Sequence, residues 1–90
     1  MRFSASVYIA LKPGVNDPQG NAVLGGLHSL GFSSVTDVRV GKYLTLDVDA
    51  PDEPSAGAQV GEMCEKLLAN PVIESYRIEV ARAQPLTHSG

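Results

Sequence analysis

The sequence holds a single cysteine, Cys64, no tryptophan, and only seven lysines and arginines in 90 residues. One cysteine excludes an internal disulfide and fits a reducing compartment. Seven basic residues against ten acidic ones leave a net charge of −3. Nucleic acid and anionic membrane both select basic surfaces, so neither is expected as a partner. Three tyrosines and two phenylalanines without a basic stripe make no stacking platform for single-stranded nucleic acid. No apolar run reaches the ~18 residues of a membrane-spanning helix. The opening Met1-Arg2-Phe3-Ser4-Ala5-Ser6 lacks the apolar core of a signal peptide. The expectation is one cytoplasmic domain. A chain of this size buries only about 60–70% of its unfolded surface, so its core is thin and a partner chain would help it.

Reactive groups are equally scarce. Nucleophilic catalysis needs a Ser or Cys beside a base held by a third group. The two histidines are His28, within a helical stretch, and His88, near the end of the chain. Cys64 falls on an apolar stripe and reads as a core thiol. One cysteine and two scattered histidines do not assemble a metal site. Gly14 and Gly20 match neither spacing of the phosphate-cradling loops. Asp17, Asp37, Asp47, Glu62 and Glu74 show no spacing that marks an acid–base pair. Catalytic, cofactor and metal sites on this chain are therefore expected to be absent.

What is present is patterning. Phe3, Ala5, Val7, Ile9 and Leu11 share one parity, which predicts a strand with one buried face. Lys12-Pro13-Gly14 breaks it. Asp17 suits a helix N-cap and Pro18 the first helical position. Val23, Leu27 and Leu30 follow as a helical stripe, and Gly31 suits the left-handed residue that ends it. From Val35 to Asp49, Val38, Val40, Leu44, Leu46 and Val48 again share one parity. A hairpin at Gly41-Lys42 would set these residues on opposite faces, so one long strand, kinked at Gly41, is the preferred reading. The fourteen steps from Val35 to Asp49 reach about 46 Å at ~3.3 Å each and outrun the first strand. The overhang calls for cover by a second copy. A second helix opens near Ser55, with Ala56, Val60, Met63, Cys64, Leu67 and Leu68 as its stripe, and ends at Asn70-Pro71. Val72 to Val80 reads as the last strand, and 83–90 as a polar tail beyond a single domain at 1–82.

The fold expected is an α/β (α+β) two-layer sandwich, β-α-β-α-β with a long central strand, in an intertwined dimer. With a hairpin at Gly41-Lys42 the order becomes β-α-β-β-α-β, the ferredoxin-like arrangement. Two clusters go beyond scaffold: "LKPGVNDPQG" at Leu11 to Gly20 and "VRVGKY" at Val38 to Tyr43. Arg39 and Lys42 read either as charges guarding an exposed strand or as contacts to an acidic partner or a phosphate.

Those clusters, with "LHSLGF" at Leu27 to Phe32, "VTDVRVGKYLTLDV" at Val35 to Val48 and "MCEKLLANPVIESYRIE" at Met63 to Glu79, resemble the PurS family. PurS is the small subunit of phosphoribosylformylglycinamidine synthase. The resemblance runs from the first strand to the last; Asn16 departs from it, where an apolar residue is usual. It implies a place in purine biosynthesis, in a ligase that converts formylglycinamide ribonucleotide, glutamine and ATP to the amidine, glutamate, ADP and phosphate. A glutaminase subunit would release ammonia and a synthetase subunit, with ATP and magnesium, would use it. This chain would bridge the two without an active site or cofactor of its own, as a homodimer or a tetramer built from dimers. The matched positions are Asp17, Pro18, Gln19, Gly20, Arg39, Gly41, Lys42, Asn70, Pro71 and Glu74. Of these, Gln19, Arg39, Lys42 and Glu74 are the expected partner contacts, the others having structural explanations. Two rival functions share the strand–helix order. A ligand-binding regulatory domain of the ACT type would use a groove at a dimer interface. An acylphosphatase would need an arginine-bearing anion loop where Lys12, Pro13 and Gly14 stand.

Overall fold

Five regular elements follow one another along residues 1–83, the part of the chain described by the structure, a computed structural model. They are β1 (Arg2–Leu11), α1 (Pro18–Ser29), β2 (Lys42–Asp49), α2 (Glu53–Met63) and β3 (Glu74–Arg82). α2 runs on into a π-helical turn, Cys64–Leu68. The tail expected over 83–90 lies outside the described residues except for Ala83, whose N–H donates to Arg2 C=O at 3.0 Å.

β1 is the middle strand of a three-stranded antiparallel sheet in the order β2-β1-β3. Its alternation works as the sequence requires. Phe3, Ala5, Val7 and Ile9 are buried, and Val48 of β2 and Ile78 and Val80 of β3 pack beside them. α2 and the turn that continues it close this face with Ala56, Val60 and Cys64. Asp52 caps α2 by accepting the Ser55 N–H at 2.9 Å.

The α2 stripe is only partly as expected. Ala56, Val60 and Cys64 are buried, but Leu67 is 82% exposed and Met63 37%. Spacing of four carries 56, 60, 64 and 68 along one face, and 63 and 67 lie about 100° behind it. The π turn then brings Ala69 under the sheet, with its N–H on Cys64 C=O at 3.0 Å.

α1 does not join this layer. Among its residues only Gly20 is buried; Val23 is 45% exposed, and Leu30, just past its end, 75%. Three strands make a surface about 14 Å wide, enough for one helix of about 10 Å. α2 occupies it, so α1 stands clear. The radius of gyration is 17.1 Å, against about 12 Å for a compact chain of this length. α1 still ends as its sequence requires. Gly31 takes φ +97° and donates to His28 C=O, and Phe32 N–H reaches Leu27 C=O, both at 3.0 Å.

The long central strand is the main correction. β2 begins at Lys42, and residues 35–41 are irregular, neither strand nor hairpin. β3 likewise starts at Glu74 rather than Val72, because Asn70 folds the preceding residues into a turn. Its C=O accepts the Ile73 and Glu74 amides, and its Oδ1 the Val72 amide.

Candidate functional site

The polar features of the chain converge at one end of the sheet, where β1 leaves for α1, the chain enters β2, and the π turn returns to β3. Asp17 organises this end. It is the one buried charged side chain among the described residues. Its Oδ1 accepts the Gly20 N–H at 2.9 Å as the α1 cap, and its Oδ2 accepts the Val40 N–H at 2.8 Å. The Gly20 amide, then the Val40 amide and the nearby Arg39 charge, hold its carboxyl below the ordinary carboxylate range. The joint is tight: a methyl group on Gly20 would overlap Val38 C=O, and one on Gly41 would overlap Ile9 C=O.

Arg39 secures the turn behind that joint. Its guanidinium donates to Val15 C=O at 3.1 Å and Lys12 C=O at 3.3 Å. Lys12 extends the other way, with its Nζ on Pro71 C=O at 2.7 Å and its backbone N–H on Ile73 C=O at 2.8 Å. Lys42 Nζ lies 3.5 Å from Leu68 C=O and 3.8 Å from Glu74 Oε2. Glu74 Oε1 accepts the Asn70 N–H at 2.7 Å, so this carboxylate is held in place from below. The Lys42–Glu74 contact is long and its Lys42 end is exposed although Glu74 is largely enclosed, so it is worth at most about 1 kcal/mol. It orients the two groups more than it stabilises the fold.

Between these elements opens a cleft of about 270 Å³, walled by Ile9 and Leu11 on β1 and by Asp17, Gln19, Lys42 and Glu74. Three of the four residues singled out in the sequence thus share one cleft. Arg39 stands behind it and faces the 12–15 turn. The Asp17–Val40 and Lys12–Pro71 bonds were not legible in the sequence, because both join segments distant along the chain. A second feature was readable by parity. Tyr43, Tyr8 and Arg77 sit side by side across the open face of the sheet, the two rings 4.9 Å apart and the Arg77 guanidinium 4.1 Å from the Tyr8 ring.

The remaining reactive groups are engaged or enclosed. Burial, then the neighbouring Glu65, pushes the Cys64 thiol above its ordinary pKa, which makes it a poor nucleophile. His28 Nε2 lies 2.7 Å from Val35 C=O. Among the described residues no three His, Cys, Asp or Glu side chains gather as metal ligands, and no helix is long and apolar enough to cross a membrane. His88 lies outside the described residues.

A three-stranded sheet covered by one helix, a second helix standing clear with apolar residues exposed, and a polar cleft ringed by oriented charges define a small α+β docking domain. Comparison with known proteins narrows this. Residues 4–82 match the family model PurS, phosphoribosylformylglycinamidine (FGAM) synthase, and the chain belongs to that family. The phosphoribosylformylglycinamidine synthase subunit PurS of Synechocystis is 47% identical over 87% of this chain and 78% of its own length. That of Bacillus subtilis is 51% identical over 87% of this chain and 92% of its own. The solved structure of B. subtilis PurS superposes with a TM-score of 0.81 at 50% identity, covering 89% of this chain and 99% of that one. A chain of the Thermotoga maritima PurLQS structure superposes with a TM-score of 0.82 at 30% identity, covering 90% and 99%.

Proposed function

We propose that the chain is the small, non-catalytic subunit of phosphoribosylformylglycinamidine synthase, a glutamine-dependent ligase of purine biosynthesis. It joins the glutaminase to the synthetase and supports the passage of ammonia between them. The observation that carries this reading is the match to PurS subunits across residues 4–82, together with a neighbour solved as part of a PurLQS assembly. ATP and magnesium belong, in this reading, to the synthetase, and the chain itself holds no cofactor.

Two surfaces divide the work. α1 and the turn after it expose Val23, Leu30 and Phe32, an apolar surface suited to a second copy of the chain in the cytoplasm. The opposite feature is the polar cleft, where Gln19, Lys42 and Glu74 are the contacts to a larger subunit and Arg39 keeps the adjoining turn in shape. Sedimentation velocity of the chain mixed with both larger subunits, in glutamine, ATP and magnesium, tests the reading. Co-sedimentation of all three supports it; a small subunit that sediments alone contradicts it.

A further inference from the structure

β2 stops one ladder pair short. Its pairing with β1 ends at Lys42, opposite Ile9, while β1 runs on to Leu11 along β3. Neighbouring residues of an antiparallel strand bond to opposite sides. Lys12 N–H donates to Ile73 C=O on the β3 side, and Met1 C=O accepts the Ala50 N–H on the β2 side. Odd-numbered residues of β1 therefore bond toward β2. Leu11 is odd, and the register carried two residues further sets Val40 opposite it. The Val40 N–H has gone to Asp17 Oδ2 instead, at 2.8 Å, and Leu11, Asp17 and Val40 all line the cleft. The chain has not swung away from the sheet, since a methyl group on Gly41 would overlap Ile9 C=O. Pro13, which has no N–H, would stand opposite Val38, so a single further pair is open to β2.

We propose that Val40 is the moving part of a two-state joint that opens and closes this cleft. In the open state, the one observed, its N–H is on Asp17 and the cleft is free. In the closed state β2 gains the Leu11–Val40 pair: Val40 N–H donates to Leu11 C=O, and Leu11 N–H to Val40 C=O. The cleft narrows as the two segments meet. One bond to a charged acceptor is exchanged for two neutral ones. A bond to an ionised group is roughly twice as strong as a neutral one, so the two states lie close and the open one prevails narrowly. Gln19, Lys42 and Glu74 line the cleft. They are the contacts to a larger subunit in the assembly reading above, on which the gating role rests. A subunit seated there binds the open state and is shut out by the closed one. The joint then sets affinity through the fraction of chains that are open.

Asp17→Asn tests this, because its one acceptor oxygen can stay on the Gly20 N–H while Val40 loses its partner. Amide hydrogen exchange of the free variant, read residue by residue, is expected to slow at Leu11 on the order of tenfold relative to the native chain. A scalar coupling across the new bond should join Val40 N to the Leu11 carbonyl carbon. The Lys12 amide, already bonded to Ile73, is the internal control, and the Gly20 amide reports the intact cap. Asp17→Ser, which also caps through one oxygen, repeats the test if that cap is lost. With about nine chains in ten closed, affinity for the two larger subunits should fall about tenfold. Unchanged Leu11 exchange in a variant whose Gly20 amide stays protected overturns the joint. Leu11 protection with undiminished affinity overturns the gating. If the native chain forms no complex, the assembly reading falls, and Leu11 exchange still decides the joint.

Discussion

The carboxylate of Asp17 accepts the Val40 amide at 2.8 Å, across 23 residues of sequence, while its other oxygen caps α1. An asparagine has one acceptor oxygen and an amide group that would face the second N–H, so Asp17→Asn keeps one bond and loses the other. Asp52 caps α2 through the Ser55 N–H alone, and asparagine can replace it there. Asp17→Asn is therefore expected to lower Tm by several degrees while Asp52→Asn leaves it nearly unchanged. Equal effects in a melting experiment would contradict the double role of Asp17.

The same contacts give stability a defined pH profile. Both Asp17 and Asp52 are held below their ordinary value of 3.8, by the Gly20 and Val40 amides and by the Ser55 amide respectively. A carboxylate whose pKa is lower in the folded state contributes stability above its unfolded pKa and loses it as pH falls through the folded one. Tyr76 is raised above 10.0 by its hydrogen bond to Glu65, and Tyr8 by burial and by Glu79 and Tyr43. These phenols favour the fold below their unfolded pKa and lose that contribution as pH rises through the raised value. Denaturant midpoints are expected to be flat from about pH 5 to 9 and to fall on both sides. Asp17→Asn should flatten the acid limb and Tyr76→Phe the alkaline one.

Val60 and Leu67 look equivalent on the helical stripe, yet one is fully enclosed and the other 82% exposed. Val60→Ala removes two buried carbons and leaves a cavity, a loss of about 2 kcal/mol. For a domain this size that is a fall of roughly 10 °C in Tm. Leu67→Ala should change the stability of the free chain by less than about 0.5 kcal/mol. Thermal melts of the two variants check this directly.

On α1 the expectation concerns association rather than folding. Val23→Asp combined with Phe32→Ser should leave far-UV dichroism intact, because neither side chain packs in the sheet core. Sedimentation equilibrium should show the self-associated species replaced by monomer. A variant that stays fully associated would move the homodimer contact away from α1.

How much of this was legible differs from element to element. β1 was, because Phe3, Ala5, Val7 and Ile9 alternate without interruption and the buried face follows from period two. The caps at Asp17 and Gly31 were too, since capping is decided by neighbours in sequence. The irregular course of 35–41 was not. Val38 and Val40 carry strand parity, and only the bond that Val40 N–H donates to Asp17 shows that this amide is taken. α1 standing clear was equally hidden, because an amphipathic stripe says that a helix wants a partner and not where that partner is. Gln19, Lys42 and Glu74 were singled out in the sequence, but that they line one cleft depends on three turns meeting in space. Arg39, grouped with them by its charge, works inward on the carbonyls of Lys12 and Val15. Charge reversal at Lys42 is accordingly the cleaner probe of partner binding, since reversal at Arg39 would set a carboxylate against two carbonyl oxygens.

In the proposed role this chain couples ammonia release to its use. The direct measurement is amidine formation by the matching glutaminase and synthetase, with and without this chain, driven either by glutamine or by added ammonia. The glutamine-driven reaction is expected to require the chain and the ammonia-driven reaction to proceed without it. Glutamine-driven synthesis at an unchanged rate in its absence would contradict the account.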